Sequence, residues 1–285
     1  KGPVAVLFER FRHIFKLRMQ RKGIWKMALL HVNFFSDVLG MATSMDVILP
    51  EQTAGQIGME GVASDKPYPT LYLLHGMSDD HTIWQRRTSI ERYVSDMGLA
   101  VVMPTTHLGW YTDMAQGNRY WTFISEELPK KCRSFFHNMS DRREDTFAAG
   151  LSMGGYGAFK LGLRCPDRFA AVASLSGGLD AAECCQINEA PIWGQIFGKA
   201  EDVPGSDNDL FAVSKRLKES GKILPKLYMW CGTEDFLYAQ NVRMRDHLQK
   251  LGYDLTYEES PGDHMWSCWD EKIQSVLKWL PIERG

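Results

Sequence analysis

The sequence predicts an α/β protein, an open and mostly parallel sheet of eight strands with helices on both faces. Three observations carry that reading. From residue 70 onward, short apolar runs alternate with helically spaced apolar residues. The runs are nearly continuous in apolar character, which marks strands buried on both faces under helices. The 285 residues, 44% hydrophobic and 24% charged, suit one large globular domain with a sizeable core. A net charge of −2 provides no field for nucleic acid or an anionic membrane. No apolar run approaches the ~20 residues a membrane-spanning helix needs.

Taken in order, "LLHVNFFS" (29–36) and "ATSMDVILP" (42–50) read as two antiparallel strands joined by a turn at Asp37 to Gly40. Residues 51–68 read as a loop. The further strands are "TLYLLHG" (70–76), "LAVVMP" (99–104), "TFAAG" (146–150), "FAAVASLSG" (169–177), "KLYMWCG" (226–232) and "DLTYEE" (254–259). Helices are expected where Ile90, Val94 and Met97 share a face before Gly98, and where Tyr156, Phe159 and Leu163 do so before Pro166. Two more are marked by Val242, Leu248 and Leu251 before Gly252, and by Trp269, Ile273, Val276, Leu277 and Leu280. The connection from Gly178 to Pro225 exceeds the ~12–20 residues of a simple crossover. It holds one helical pattern (Leu210, Val213, Leu217) and an aromatic pair (Trp193, Phe197), and reads as a cap-like insertion over residues 178–225.

The first 26 residues differ from the rest. "ERFRHIFKLRMQRKGIWK" carries seven Lys or Arg against one Glu. A basic arm at a membrane surface fits that charge, but a poorly ordered or appended extension is the preferred reading, with the domain spanning 27–285. No apolar stretch follows that would make a secretory signal. The six cysteines form no Cys-x-x-Cys pair and no zinc spacing, so buried free thiols, as at Cys165 and Cys231, and a reducing cytoplasmic compartment are expected.

The stretch "FAAGLSMGGYGAFK" places Ser152 between a strand and a helix, inside Gly150-Leu151-Ser152-Met153-Gly154. This is the Gly-x-Ser-x-Gly nucleophile elbow, a turn so tight that the residues two before and two after the serine must be tiny. The pattern arises by chance in roughly one chain in ten of this length, so the flanking strand and helix, and the partners downstream, decide its meaning. A serine needs a base to take its proton, and in this arrangement the order is Ser, acid, His. His264, in "SPGDHMWSCW", is the expected base. The acid is chosen from Glu234, Asp235 and Asp263. Asp235 is preferred, since Asp263 adjoins His264 and their side chains diverge on an extended loop. The oxyanion hole needs two backbone N–H groups. Met153 supplies one, and the loop "LLHGMSDDHTIW" supplies the other from Met77, with Gly76 as the neighbouring possibility. His75 is read as turning that loop; His75, Asp79, Asp80 and His81 are not read as metal ligands. Trp84, Trp110, Tyr111, Trp193 and Trp266 are candidates for the substrate pocket.

"HGMSDDHTIW", "GLSMGGYGAFK", "CGTEDFLY" and "GDHMWSCWD", with "GWYTDMAQGNRYWTFISEELP" (109–129), resemble the esterase D group of α/β-hydrolases, and within it the tributyrin-esterase branch, over residues 29–280. The resemblance implies the α/β-hydrolase fold and a cytoplasmic serine carboxylesterase for short acyl esters, acetyl to butyryl. It also implies no cofactor and no metal, a small-molecule ester as the partner, and a homo-oligomer. The group also contains feruloyl and acetyl-xylan esterases, S-formylglutathione hydrolases and secreted mycolyl transferases. "HGMSDD" departs from the "HGLTC" usual in formylglutathione hydrolases, which disfavours a glutathione thioester. Outside hydrolysis, an acyltransferase and a non-catalytic binding protein on the same scaffold are the alternatives.

Overall fold

Alternate side chains of the central strands enter two separate apolar cores. Along β3 (Thr70–Leu74), Leu71 and Leu73 join one cluster while Tyr72 and Leu74 join the other. Both faces are therefore covered, as the near-continuous apolar runs require. The structure, a computed structural model, describes residues 24–53, 66–187 and 190–282.

The described residues form one eight-stranded sheet. The other strands are β1 (Ile24–Ser36), β2 (Met41–Thr53), β4 (Ala100–Pro104), β5 (Thr146–Leu151), β6 (Ala171–Leu175), β7 (Lys226–Gly232) and β8 (Leu255–Ser260). Their order is β1-β2-β4-β3-β5-β6-β7-β8. The pairs β1–β2 and β2–β4 are antiparallel and every later pair is parallel.

Among the described residues the α-helices of four residues or more are α1 (Ile83–Arg87), α2 (Ile90–Tyr93), α3 (Leu128–Phe135), α4 (Met153–Arg164), α5 (Ala181–Ile187), α6 (Pro191–Phe197), α7 (Leu210–Glu219), α8 (Tyr238–Lys250) and α9 (Trp266–Trp279). Apolar residues of α1, α2 and α9 fill one core; those of α3 to α8 fill the other. The 178–225 connection thus contains α5, α6 and α7, and its Leu210, Val213 and Leu217 are buried as the sequence spacing requires.

Some elements differ from the sequence reading. β1 begins at Ile24, ahead of Met27, and β2 runs on through Thr53 into the stretch read as a loop. Residues 1–23 of the N-terminal extension, and 54–65 of that loop, lie outside the described residues. The helix expected over Ile90 to Met97 is cut short: α2 ends at Tyr93, and beyond it Ser95 N and Met97 N bond three residues back, to Arg92 O (3.4 Å) and Val94 O (3.1 Å), as turns. Ahead of it, Thr88 ends α1 and separates it from α2: it is extended (φ −135°, ψ 174°), and its hydroxyl donates to Trp84 O at 2.6 Å and accepts from Ile90 N at 3.1 Å. A threonine side chain that satisfies backbone groups competes with helix continuation. On α8 the buried apolar residues are Met244 and Leu248, and Val242 is only half-buried.

The β1–β2 turn is clasped from outside the hairpin. A π-helical turn, Phe123–Glu127, presents Glu127 to it. The Glu127 carboxylate accepts from the Ser36 hydroxyl and from Asp37 N (2.8 Å).

A second buried polar group ties three segments together. Lys160, on α4, is fully buried. Its ammonium donates to Tyr111 O (3.2 Å), Thr112 Oγ1 (2.8 Å) and Asn208 Oδ1 (2.7 Å), and lies 5.1 Å from the centre of the Trp121 ring. Burial pushes its pKa well below the ordinary lysine value. Removing the donor leaves three acceptors short of a partner, at about 1–3 kcal/mol each where burial is complete. Lys160→Met, close in volume, should therefore lower the thermal midpoint by at least about 5 °C in a calorimetric scan.

Candidate active site

Four strands end on one side of the sheet, and the loops that leave them assemble the site. β5 passes through Ser152 into α4. Ser152 has φ 52° and ψ −121°, a region that costs a non-glycine residue on the order of 1–3 kcal/mol. The surroundings force it. A Cβ on Gly150 would stand 2.4 Å from Gly154 C and O, and one on Gly154 would stand 2.4 Å from Leu74 O. Backbone hydrogen bonds fix the turn, from Ser152 N to Leu175 O (2.9 Å) and from Gly178 N to Ser152 O (3.1 Å). The serine side chain stays partly exposed while both neighbours, Leu151 and Met153, are buried.

The loops after β7 and β8 supply an acid and an imidazole. His264 Nδ1 lies 2.8 Å from Asp235 Oδ2. The other carboxylate oxygen, Oδ1, accepts from Leu237 N at 2.8 Å, which fixes the aspartate. Burial alone would raise the Asp235 pKa. The hydrogen bonds from His264 and Leu237, the imidazole charge and the Ser176 hydroxyl outweigh it and hold the carboxyl below its usual value. The other two acid candidates are engaged or remote. Exposed Glu234 accepts from Gly262 N and binds the β7 loop to the histidine loop. Asp263 is exposed and makes no side-chain bond to His264. The His264 ring is held between Phe236 (centroids 4.5 Å) and Trp269 (4.8 Å).

The loop after β3 faces the same place. His75 Nδ1 donates to Gly76 O (2.7 Å), and Nε2 accepts from Thr106 N (3.0 Å). Burial holds its pKa down to about 4, so the ring is neutral and acts as a brace for the loop. Gly76 N–H is directed at the Asp79 carboxylate. Among the described residues Met77 N–H and Met153 N–H have no protein acceptor. Met153 is the first residue of α4, where N–H groups point outward and favour negative charge.

Gly76, Met77, Ser78, Asp79, Leu151, Ser152, His264, Trp266 and Trp269 line one cleft of about 190 Å³. Ser152 and His264 share its wall without a direct hydrogen bond between them. Of the five aromatic candidates, Trp266 lines this cleft and four do not. Trp84 is fully buried beneath it, donating to Leu74 O (3.1 Å) and meeting Trp266 edge-on (centroids 5.1 Å). Trp110, Tyr111 and Trp193 belong to the core on the α4 side. Trp110 and Trp193 lie 4.9 Å apart, and Tyr111 donates to His75 O at 2.9 Å. Sequence reading passed over Trp269 and Asp79 as cleft residues. Trp269 was visible as the first residue of a helical apolar pattern, and Asp79 as part of "HGMSDD".

Known proteins resemble this chain over most of its length. The Esterase family model matches residues 36–280. The acetyl esterase of Caldicellulosiruptor saccharolyticus is 32% identical over 263 residues, spanning 89% of this chain and 98% of that protein. Among solved structures, the Staphylococcus aureus fluorophosphonate-binding serine hydrolase FphF superposes with a TM-score of 0.81 at 35% identity, covering 90% of this chain and 98% of that one. The S-formylglutathione hydrolase FrmB of Staphylococcus aureus does so with a TM-score of 0.78 at 35% identity, covering 89% and 98%. The chain belongs to the Esterase family and is a carboxylic ester hydrolase with the α/β-hydrolase fold.

Proposed function

We propose that the protein is a serine carboxylesterase for short acyl esters, acetyl to butyryl, of the tributyrin-esterase kind within the esterase D group. The observation that carries this is the Asp235–His264 hydrogen bond opening onto the cleft that holds Ser152, beside the two unpartnered N–H groups. Asp235 fixes the imidazole so that Nδ1 carries the proton and Nε2 is free to accept one. His264 takes the proton of Ser152 as the serine oxygen attacks the ester carbonyl. The N–H groups of Met77 and Met153 receive the oxyanion, each worth on the order of a hundredfold or more in rate. His264 then gives its proton to the departing alcohol. In the second half it takes a proton from water, which attacks the acyl-enzyme, and returns it to Ser152. The serine–histidine contact tightens with substrate in place, as apo catalytic contacts often do.

The acyl preference rests on size. A cleft of about 190 Å³ is smaller than the ~300–1,000 Å³ of sites for drug-sized ligands. None of the six cysteines is in a disulfide, which supports a reducing, cytoplasmic setting. Among the described residues no helix is long and apolar enough to cross a membrane. A second reading, a thioesterase of the S-formylglutathione type, is favoured by the 35% identity to FrmB. It uses the same residues and differs only in the leaving group.

Three outcomes follow. On 4-nitrophenyl esters from acetate to laurate, kcat/KM should peak at or below butyrate and fall by at least about tenfold by octanoate. Ser152→Ala should abolish both this turnover and labelling by a fluorophosphonate probe. Asp235→Asn should reduce kcat by on the order of 10⁴ with little change in KM, because the loss is of imidazole orientation and charge rather than of substrate contact.

A further inference from the structure

The cleft contains one charged group that acyl transfer does not use. Asp79 closes a turn with Gly76 (Asp79 N to Gly76 O, 3.3 Å), and Ser78 between them is left-handed at φ 67°. That turn sends the two neighbouring aspartates different ways. Asp80 accepts from Thr82 N (2.9 Å) and Thr82 Oγ1 (2.6 Å) at the start of α1. Asp79 lines the cleft. A Cβ on Gly76 would stand 3.3 Å from Asp79 Oδ2 and 3.7 Å from Ser152 Cβ, so the carboxylate and the serine flank one spot. Among the described residues Asp79 makes no ion pair; exposed Arg86 and Arg87 act on it only at a distance.

Resting on the esterase reading above, we propose that Asp79 is a specificity-determining charge filter. It disfavours esters carrying a negative charge beside the scissile bond and favours those with neutral or cationic groups there. The same charge repels the carboxylate product that hydrolysis leaves in the cleft. Two unit charges several ångströms apart in a partly solvated site interact by enough to change a rate about five- to tenfold.

The filter depends on pH. Burial first, and the charge of Asp80 second, raise the Asp79 pKa to about 6, against Arg87, Gly76 N–H and Arg86. From other elements, Tyr111 senses its charge and His264 shares the cleft. A raised carboxyl pKa means that the charge is present above about pH 6 and fades as pH falls through it.

The test uses isosteric ester pairs that differ in charge: 4-acetoxybenzoate against 4-acetoxybenzamide for the leaving group, and the 4-nitrophenyl half-ester of succinate against that of succinamate for the acyl group. The readout is the ratio of kcat/KM, anionic over neutral, within each enzyme. Asp79→Asn should raise that ratio about five- to tenfold in at least one pair, and Asp79→Glu should keep it near wild type. Added salt should raise the wild-type ratio and leave that of Asp79→Asn flat. Inhibition by butyrate should tighten in Asp79→Asn. Ratios unchanged within twofold in both pairs would overturn the filter while leaving the esterase reading intact. No turnover of either neutral ester by the wild type would overturn both.

Discussion

The close approach of the β5–α4 turn to the end of β3 is the constraint on which the rest of the site depends. Gly154 sits where any side chain would collide with Leu74 O and His75 O, and Gly150 where it would collide with Gly154 itself. These contacts leave Ser152 no relaxed backbone conformation. The strain, on the order of 1–3 kcal/mol, is stored in a rigid frame and not released, because both flanking residues are buried and the backbone is hydrogen-bonded to β6 and to Gly178. The same closeness sets Gly76 of the β3 loop beside the elbow, where a Cβ on Gly76 would stand 3.7 Å from Ser152 Cβ. One short contact between two backbones thus places both the hydroxyl and the anion-binding donors.

The sheet then does the longer-range work. Parallel strands all deliver their following loops to one edge, so residues far apart in sequence meet without any long excursion of the chain. β3 brings Gly76 and Met77, β5 brings Ser152, β7 brings Asp235 and β8 brings His264. Gly232 lets the last two loops touch: a Cβ there would lie 2.1 Å from Gly262 O. The Glu234 clasp on Gly262 N holds them in register, so that Asp235 and His264 meet. Trp84, Trp266 and Trp269 form an edge-to-face stack under this corner, and Trp269 is also anchored to Ser176 Oγ at 3.2 Å.

Much of this was legible in the sequence because it is written in local terms. The eight strands show as apolar runs ended by turn residues, and the elbow as glycines at fixed offsets from a serine. The order Ser152, Asp235, His264 follows from which loops leave strand ends. What was not legible depends on neighbours distant in the chain. Trp110, Tyr111 and Trp193 have the composition of a pocket wall, yet they face α4 and the 178–225 helices as core. Nothing in "SDD" says which aspartate turns inward; the left-handed Ser78 decides it.

The central claim is that the acyl group passes through the Ser152 oxygen. The most direct measurement is intact-protein and peptide mass spectrometry of enzyme acid-quenched during turnover of 4-nitrophenyl butyrate. The account predicts one butyryl group per chain, located on the peptide that contains Ser152, appearing faster than steady-state release and disappearing as substrate is exhausted. Butyrylation at another residue, or full turnover with no acyl-enzyme even where deacylation is slowed by low temperature, would contradict it.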